Sequence, residues 1–332
     1  MINANIEYTR ISSVFRGVDA VVTKSSGLSK SLKKAGRFWP VYLMALPGLV
    51  YLLINNYFPM GGLIVAFKKY NAQKGIFGSD WIGFENFKYL FGTRDAWLIT
   101  RNTLIYNLAF IVIGTICALA IAIVLNDLRD RKTKKLAQSL ILLPYLVSWV
   151  IVSYLVFAFL GAENGFINNS ILAPLGINKI TWYSSPQYWP VIMTVAFLWH
   201  NVGYNCIVYY ASIVGIDKSY YEAAELAGAS QWKKILHVTL PCIRTTIITM
   251  VMLNIGRVFY SDFGLFYQVP MNTGALFSTT NVVDTYVYRG LLEQGNIGMS
   301  AAACLYQSIV GFVLVLAANA SVRKFDRDSA FF

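Results

Sequence analysis

The chain has 332 residues, of which 56% are hydrophobic and only 13% charged, about half the charged share of an ordinary soluble domain. With a mean hydropathy of +0.52, it reads as one integral membrane domain, long enough for several spans of about 20 residues each. The net charge of +12 does not point to nucleic acid, because the Lys and Arg residues cluster beside apolar runs on alternating sides, as membrane orientation requires.

Residues 1–37 are polar and basic. Both this lead and the apolar run after it are too long for a signal peptide, so an uncleaved cytoplasmic segment is expected. Six spans are predicted: 38–67, 104–125, 136–160, 189–214, 238–260 and 298–320. The runs are long and continuous rather than alternating, which makes them helices and not barrel strands. Pro47 and Pro59 are expected to kink or shorten the first span, because proline removes a backbone donor. Pro144 lies inside the third. The resulting fold class is all-α, a polytopic helical bundle.

With the N-terminus placed in the cytoplasm, 18 of the 28 Lys and Arg fall in segments 1–38, 126–135, 215–240 and 321–332. Those segments are then internal, and both termini are cytoplasmic, including the tail 326–332. The first outer loop is the most basic of the outer ones. The outer loop 161–187 is expected to hold a short interfacial helix, and 262–297 is a longer outer segment that could meet a partner outside the membrane. A stretch of that length without a span more often carries function than not. The four cysteines, Cys117, Cys206, Cys242 and Cys304, lie in or beside apolar runs and form no C-x-x-C pair, so they read as reduced thiols and not as a metal site.

One polar segment interrupts this apolar chain, YYEAAELAGASQWKKILHVTLP at 220–241. Asp217 or Ser219 can cap a first short helix, with Ser219 and Glu222 forming a capping box. Gly228 can take the left-handed conformation that ends it, and Ser230 can cap a second helix. Small residues at 223, 224, 227 and 229 let another protein approach the backbone. The spacing of Glu222, Ala223, Ala224, Gly228, Val238, Leu240 and Pro241 resembles the EAA loop of ABC importer permeases, with Val238 where isoleucine is common. The segments at 46–71, 81–91, 142–152, 284–292 and 317–325 are similar to the LplB-like branch of carbohydrate permeases, so the resemblance covers about 38–325.

That resemblance implies a type I ABC importer transmembrane fold in a bacterial plasma membrane, with residues 38–325 as the transmembrane domain and a coupling loop at 215–241. It also implies a second permease subunit, two ATP-binding subunits below, and an extracytoplasmic solute-binding protein that delivers a saccharide. The chain contains no G-x-x-x-x-G-K-[ST] phosphate loop, so ATP and Mg²⁺ would be bound by the partner ATPase and no cofactor is expected here. A membrane-embedded enzyme would need a metal set, paired aspartates or a Ser/His arrangement. An ion-coupled secondary transporter would not need the 220–241 segment. The chain is expected to be a transport subunit and not an enzyme.

Polar residues inside spans are costly and face cavities or neighbouring helices. In the fourth span, Trp199, His200, Asn201, Tyr204 and Asn205 offer amides and aromatic faces of the kind that bind sugars, with 200, 201, 204 and 205 on one helical face. The fifth span adds Asn254, Arg257 and Tyr260 at i, i+3 and i+6. Arg257 requires an anionic partner, either Asp262 or an acidic sugar.

Overall fold

The structure, a computed structural model, describes residues 39–325. The expected N-terminal segment 1–37 and the tail 326–332 lie outside the described residues. The chain divides into two compact units, the first ending at Gly62 and the second beginning at Leu63.

The described part of the first unit begins with α1, Trp39–Leu52, which carries Pro47 inside it without ending. A π-helical turn at Leu53–Tyr57 follows, in which the Phe58 N–H reaches back to Leu53 O. Pro59 comes next and has no N–H to donate, so the widened turn absorbs the missing bond.

The second unit opens with a two-residue antiparallel pair, β1 Lys68–Lys69 and β2 Asp80–Trp81, with Lys68 opposite Trp81. It is a small exception in an otherwise helical chain. Lys68 is buried, and its ammonium donates to Phe77 O at 2.8 Å and Ile76 O at 3.2 Å. Lys74 pairs with Asp80 at 2.9 Å. Lys74, one of the basic residues expected in the first outer loop, and the nearby Lys68 are thus held locally.

The helices that follow are α2 Glu85–Gly92, α3 Arg94–Asp127, α4 Arg131–Leu142 and α5 Trp149–Leu160. Then come α6 Trp189–Val214, α7 Lys218–Leu226, α8 Gln231–Lys234 and α9 Arg244–Ile255. The last two are α10 Val283–Leu292 and α11 Ile297–Phe325. Among the described residues, four stretches are long and apolar enough to cross a membrane, 39–67, 94–127, 186–214 and 297–324, and the total reaches six if each of two bent pairs is one span.

The expected span boundaries need three corrections. The second helix starts ten residues early, at Arg94, and runs 34 residues. At 1.5 Å per residue it is about 50 Å long, more than a bilayer core of about 30 Å, so its polar first turns extend past the apolar layer. The third span is not straight. α4 and α5 meet at 96° across a break at 147–148, because Pro144 interrupts the backbone ladder and Ser148 starts a new helix. The fifth span bends by 64° after Pro241 and Cys242, and α9 ends at Ile255.

The core is a long seam between α3 and α6. Gly114, Ala118 and Ala122 are buried along one face of α3 at intervals of four, and small residues so spaced let helix backbones approach. Ala118, Ala122 and Leu125 pack against Val202, Cys206, Tyr209 and Ile213. A second cluster joins Tyr106 and Phe110 of α3 to Met193 and Ala196 of α6 and to Leu265 and Phe266. The four cysteines are free, as expected.

Both segments expected to lie outside, 161–187 and 262–297, are built rather than loose. Asn168, fully buried, donates to Ala162 O and Ile180 O and accepts from Ile180 N and Trp182 Nε1, which ties 162–182 together in a fold that includes a π-helical turn at Ile167–Leu172. In 262–297, buried Arg289 stacks over Phe277 at 4.1 Å and donates to Asn281, Thr285 and Asn272. Asn272 and Met271 hold left-handed backbone angles beside it.

Candidate functional site

A cavity of about 800 Å³ opens between α3, α6, α9 and the break in the third span, a volume within the range of ligand pockets, about 300–1,000 Å³. Of the eight candidates read from the sequence, Asn201, Tyr204, Asn205, Asn254, Arg257 and Tyr260 line it. Trp199 and His200 do not. Trp199 is 45% exposed and absent from the lining. His200 is buried, with Nε2 against Val147 O at 2.9 Å and its ring stacked on Trp149 at 4.1 Å. It satisfies the carbonyl freed at the helix break, which draws it away from the face it shares with Asn201 and Tyr204.

The fifth-span group is also arranged differently from the expected helical face. The chain leaves α9 at Ile255 and turns, with Arg257 N bonded to Asn254 O at 3.0 Å and Tyr260 N to Arg257 O at 2.8 Å. The turn, rather than helical periodicity, brings these three side chains to the cavity.

The wall combines amides and aromatic faces. Asn107, Asn201 and Asn254 each donate Nδ2 to the carbonyl four residues earlier, at 2.9, 3.2 and 2.9 Å. Their amide oxygens thereby remain available as acceptors for hydroxyl groups. Tyr204 stacks on Tyr145 with centroids 5.0 Å apart, and Phe110 stacks on Phe197 at 3.9 Å.

Charge in the cavity comes from Arg257, Asp262 and Asp284. Of the two partners considered for Arg257, Asp262 does not pair with it. The only two ion pairs among the described residues are Lys74–Asp80 and Lys234–Glu225. Asp262 instead accepts from Trp149 Nε1 at 2.9 Å and Leu265 N at 3.2 Å. Asp284 accepts from Ser261 N at 2.7 Å and Gln307 Nε2 at 3.1 Å, and burial pushes its carboxyl above the ordinary range.

Sequence reasoning missed Asn107, Phe110, Thr115, Tyr145, Phe197 and Asp284 as lining residues. Asn107 and Thr115 carried a usable signal, since both are polar groups inside an uncharged run. Tyr145 carried none, because its position follows from the break after Pro144.

The 215–241 loop forms a compact two-helix element. Asp217, not Ser219, caps α7, accepting from Ser219 N at 2.9 Å. That hydrogen bond holds its carboxyl below the usual range. The expected capping box is absent because Asp217 starts the helix one residue before Lys218. Gly228 has a φ of 72°. Ala229 N bonds Ala224 O and Gly228 N bonds Glu225 O, both at 2.9 Å, the paired closure that favours glycine after a helix. Ser230 begins α8 without a side-chain bond.

Three contacts fix the element. Lys234 Nζ lies 2.7 Å from Glu225 Oε1 and lowers that carboxyl's pKa, first through the hydrogen bond and then through its charge. Tyr221 and Thr239 share a hydroxyl bond at 3.0 Å, and Gln231 Nε2 donates to Asp127 at the end of α3. Outward, Glu222 and Ala223 are exposed, and Leu226 and Trp232 are 92% and 74% exposed. Leu240 is half-buried and Pro241 exposed at the bend into α9.

Residues 110–327 match the family model described as binding-protein-dependent transport system inner membrane component. The chain is 34% identical over 94% of its length to protein LplB of Bacillus subtilis strain 168, covering 96% of that protein. It is 33% identical over 95% of its length to the polygalacturonan/rhamnogalacturonan transport system permease protein YteP of the same organism, covering 97% of it. In structure it is similar to a chain of a bacterial ABC transporter involved in the import of the acidic polysaccharide alginate, with a TM-score of 0.82, 30% identity, and coverage of 90% of this chain and 99% of that one. The chain belongs to the binding-protein-dependent transport system inner membrane components: it is a multi-pass permease subunit of an ABC importer, and not an enzyme.

Proposed function

We propose that this permease carries a saccharide through the cavity between α3, α6 and α9, and that the saccharide is acidic. The observation that carries the reading is Arg257, a cation in a cavity of amides and stacked aromatics that forms no ion pair among the described residues. Amide oxygens suit sugar hydroxyls, Tyr204 and Tyr145 suit the apolar face of a pyranose ring, and an unpaired guanidinium suits a uronate carboxylate. A polygalacturonan permease and an alginate importer among the similar proteins support the same charge class.

The rest of the assembly belongs to the same proposal. Residues 38–325 make up the transmembrane domain, with the 215–241 loop and both termini on the cytoplasmic side. Glu222, Ala223, Ala224 and Gly228 face one of two ATP-binding subunits, which hold ATP and Mg²⁺, while Leu240 and Pro241 form the bend that passes loop movement into α9. A second permease subunit completes the pathway, and a solute-binding protein delivers the saccharide from outside.

The test is uptake of an oligogalacturonide and of its methyl ester by proteoliposomes holding the full importer. Arg257→Gln should lower uptake of the acid about tenfold, the size of one charge-assisted contact, and leave the ester unchanged. Equal effects on both, or none on the acid, contradict the reading.

A further inference from the structure

Arg257 shares its cavity with two carboxylates, and neither pairs with it. Opposite charges facing one cavity attract, so their separation needs a cause. Each carboxylate is engaged by N–H donors on the protein. Asp284 is held by Ser261 N and by Gln307, which is buried and also donates to Phe259 O at 2.8 Å. Asp262 is exposed, and its one side-chain donor is the Trp149 indole at 2.9 Å.

Trp149 is in turn rigidly placed. It is the first residue of α5 after the break. Its ring stacks on His200 at 20° between planes, and His200 is fixed to Val147 O. Close beside it lies Gly264, where an added Cβ would come 2.2 Å from the indole Cδ1. A glycine is therefore required for the ring to sit where its N–H meets Asp262.

We propose that Trp149 is a positioning residue for substrate charge: by holding Asp262 it keeps Arg257 from an internal ion pair and available to a saccharide carboxylate. The inference rests on the reading that Arg257 binds an acidic saccharide. It assigns the selectivity to a residue outside the cavity lining.

Trp149→Phe keeps an aromatic ring on His200 and the clearance over Gly264 but removes the N–H. In the proteoliposome assay, W149F should raise KM for the oligogalacturonide about tenfold, as an internal counter-ion competes with the substrate, with the methyl ester unaffected. Adding Asp262→Asn removes that counter-ion, so the double variant should return to within about twofold of the unaltered protein. An unchanged acid-to-ester ratio in W149F overturns the inference, and so does a loss that D262N fails to restore, since a packing role for the ring would not respond to Asp262. Arg257→Gln in parallel separates the two levels. If it spares acid uptake, the acidic-substrate reading falls; if it abolishes acid uptake while W149F does nothing, only the role of Trp149 falls.

Discussion

Tyr204 and Tyr145 come from different spans, and their parallel contact at 5.0 Å forms a flat apolar surface inside a polar cavity. Such a pair contributes about 0.5–1.5 kcal/mol beyond area burial, and a sugar ring laid on it would gain from the same surface. Tyr204→Ala should therefore raise the KM for uptake about three- to tenfold, acid and ester alike, with little change in turnover. Kinetics of both substrates check it, since a selective effect on the acid would assign Tyr204 to charge rather than to stacking. Tyr204, Asn201 and Asn205 were legible in the sequence because polar groups stand out in an apolar run. His200 stood out equally but serves the backbone, since a freed carbonyl at a helix break is a partner that helical periodicity does not reveal.

The break between α4 and α5 shapes the cavity at the level of whole elements. It carries Tyr145 to the wall and Trp149 to Asp262, and it depends on close contact between α4 and α6. At Gly203 an added Cβ would lie 1.9 Å from Ile141 O, so the backbones touch where only glycine fits. Gly203→Ala should destabilise the purified protein by about 1–3 kcal/mol or more, read as a lower Tm in detergent. Gly114→Ala is the comparison, since its Cβ would meet only ordinary contacts at 3.9–4.0 Å, and it should leave Tm close to that of the unaltered protein. The apolar runs were legible from their length, and α6 from end to end, with six spans if each bent pair counts as one. The bends were not, because a proline within a run marks a possible kink but not its angle. The length of α3 was hidden by polar first turns that lack the apolar signal.

Across the whole molecule, the cavity and the 215–241 loop are joined by two helices. α6 runs from Asn205 at the cavity to Val214, about 14 Å along its axis, and passes into the loop at Gly215. α3 lines the cavity with Asn107, Phe110, Ile111 and Thr115, and its last residue, Asp127, holds Gln231 of the loop. In the proposed coupling, movement of the loop would reach both walls through these packed elements, as a two-state gate requires. The motif was legible because its chemistry is local: an N-cap, a left-handed glycine and a re-entry proline lie within one segment. The ties of Gln231 to Asp127 and Tyr221 to Thr239 were not legible, because they depend on how the helices pack.

The central claim is that this loop couples ATP hydrolysis to saccharide movement, and the most direct measurement is uptake and hydrolysis together in proteoliposomes of the complete importer. Gly228 sits at a φ of 72°, which valine adopts only under strain, and Glu222 is exposed on the loop proposed to meet the ATPase. Gly228→Val and Glu222→Lys should each lower uptake per ATP hydrolysed at least tenfold, a loss on the order of one interface hot spot, while the six spans insert as before. Full coupling in both variants, or uptake by this chain without any ATPase, would contradict the account.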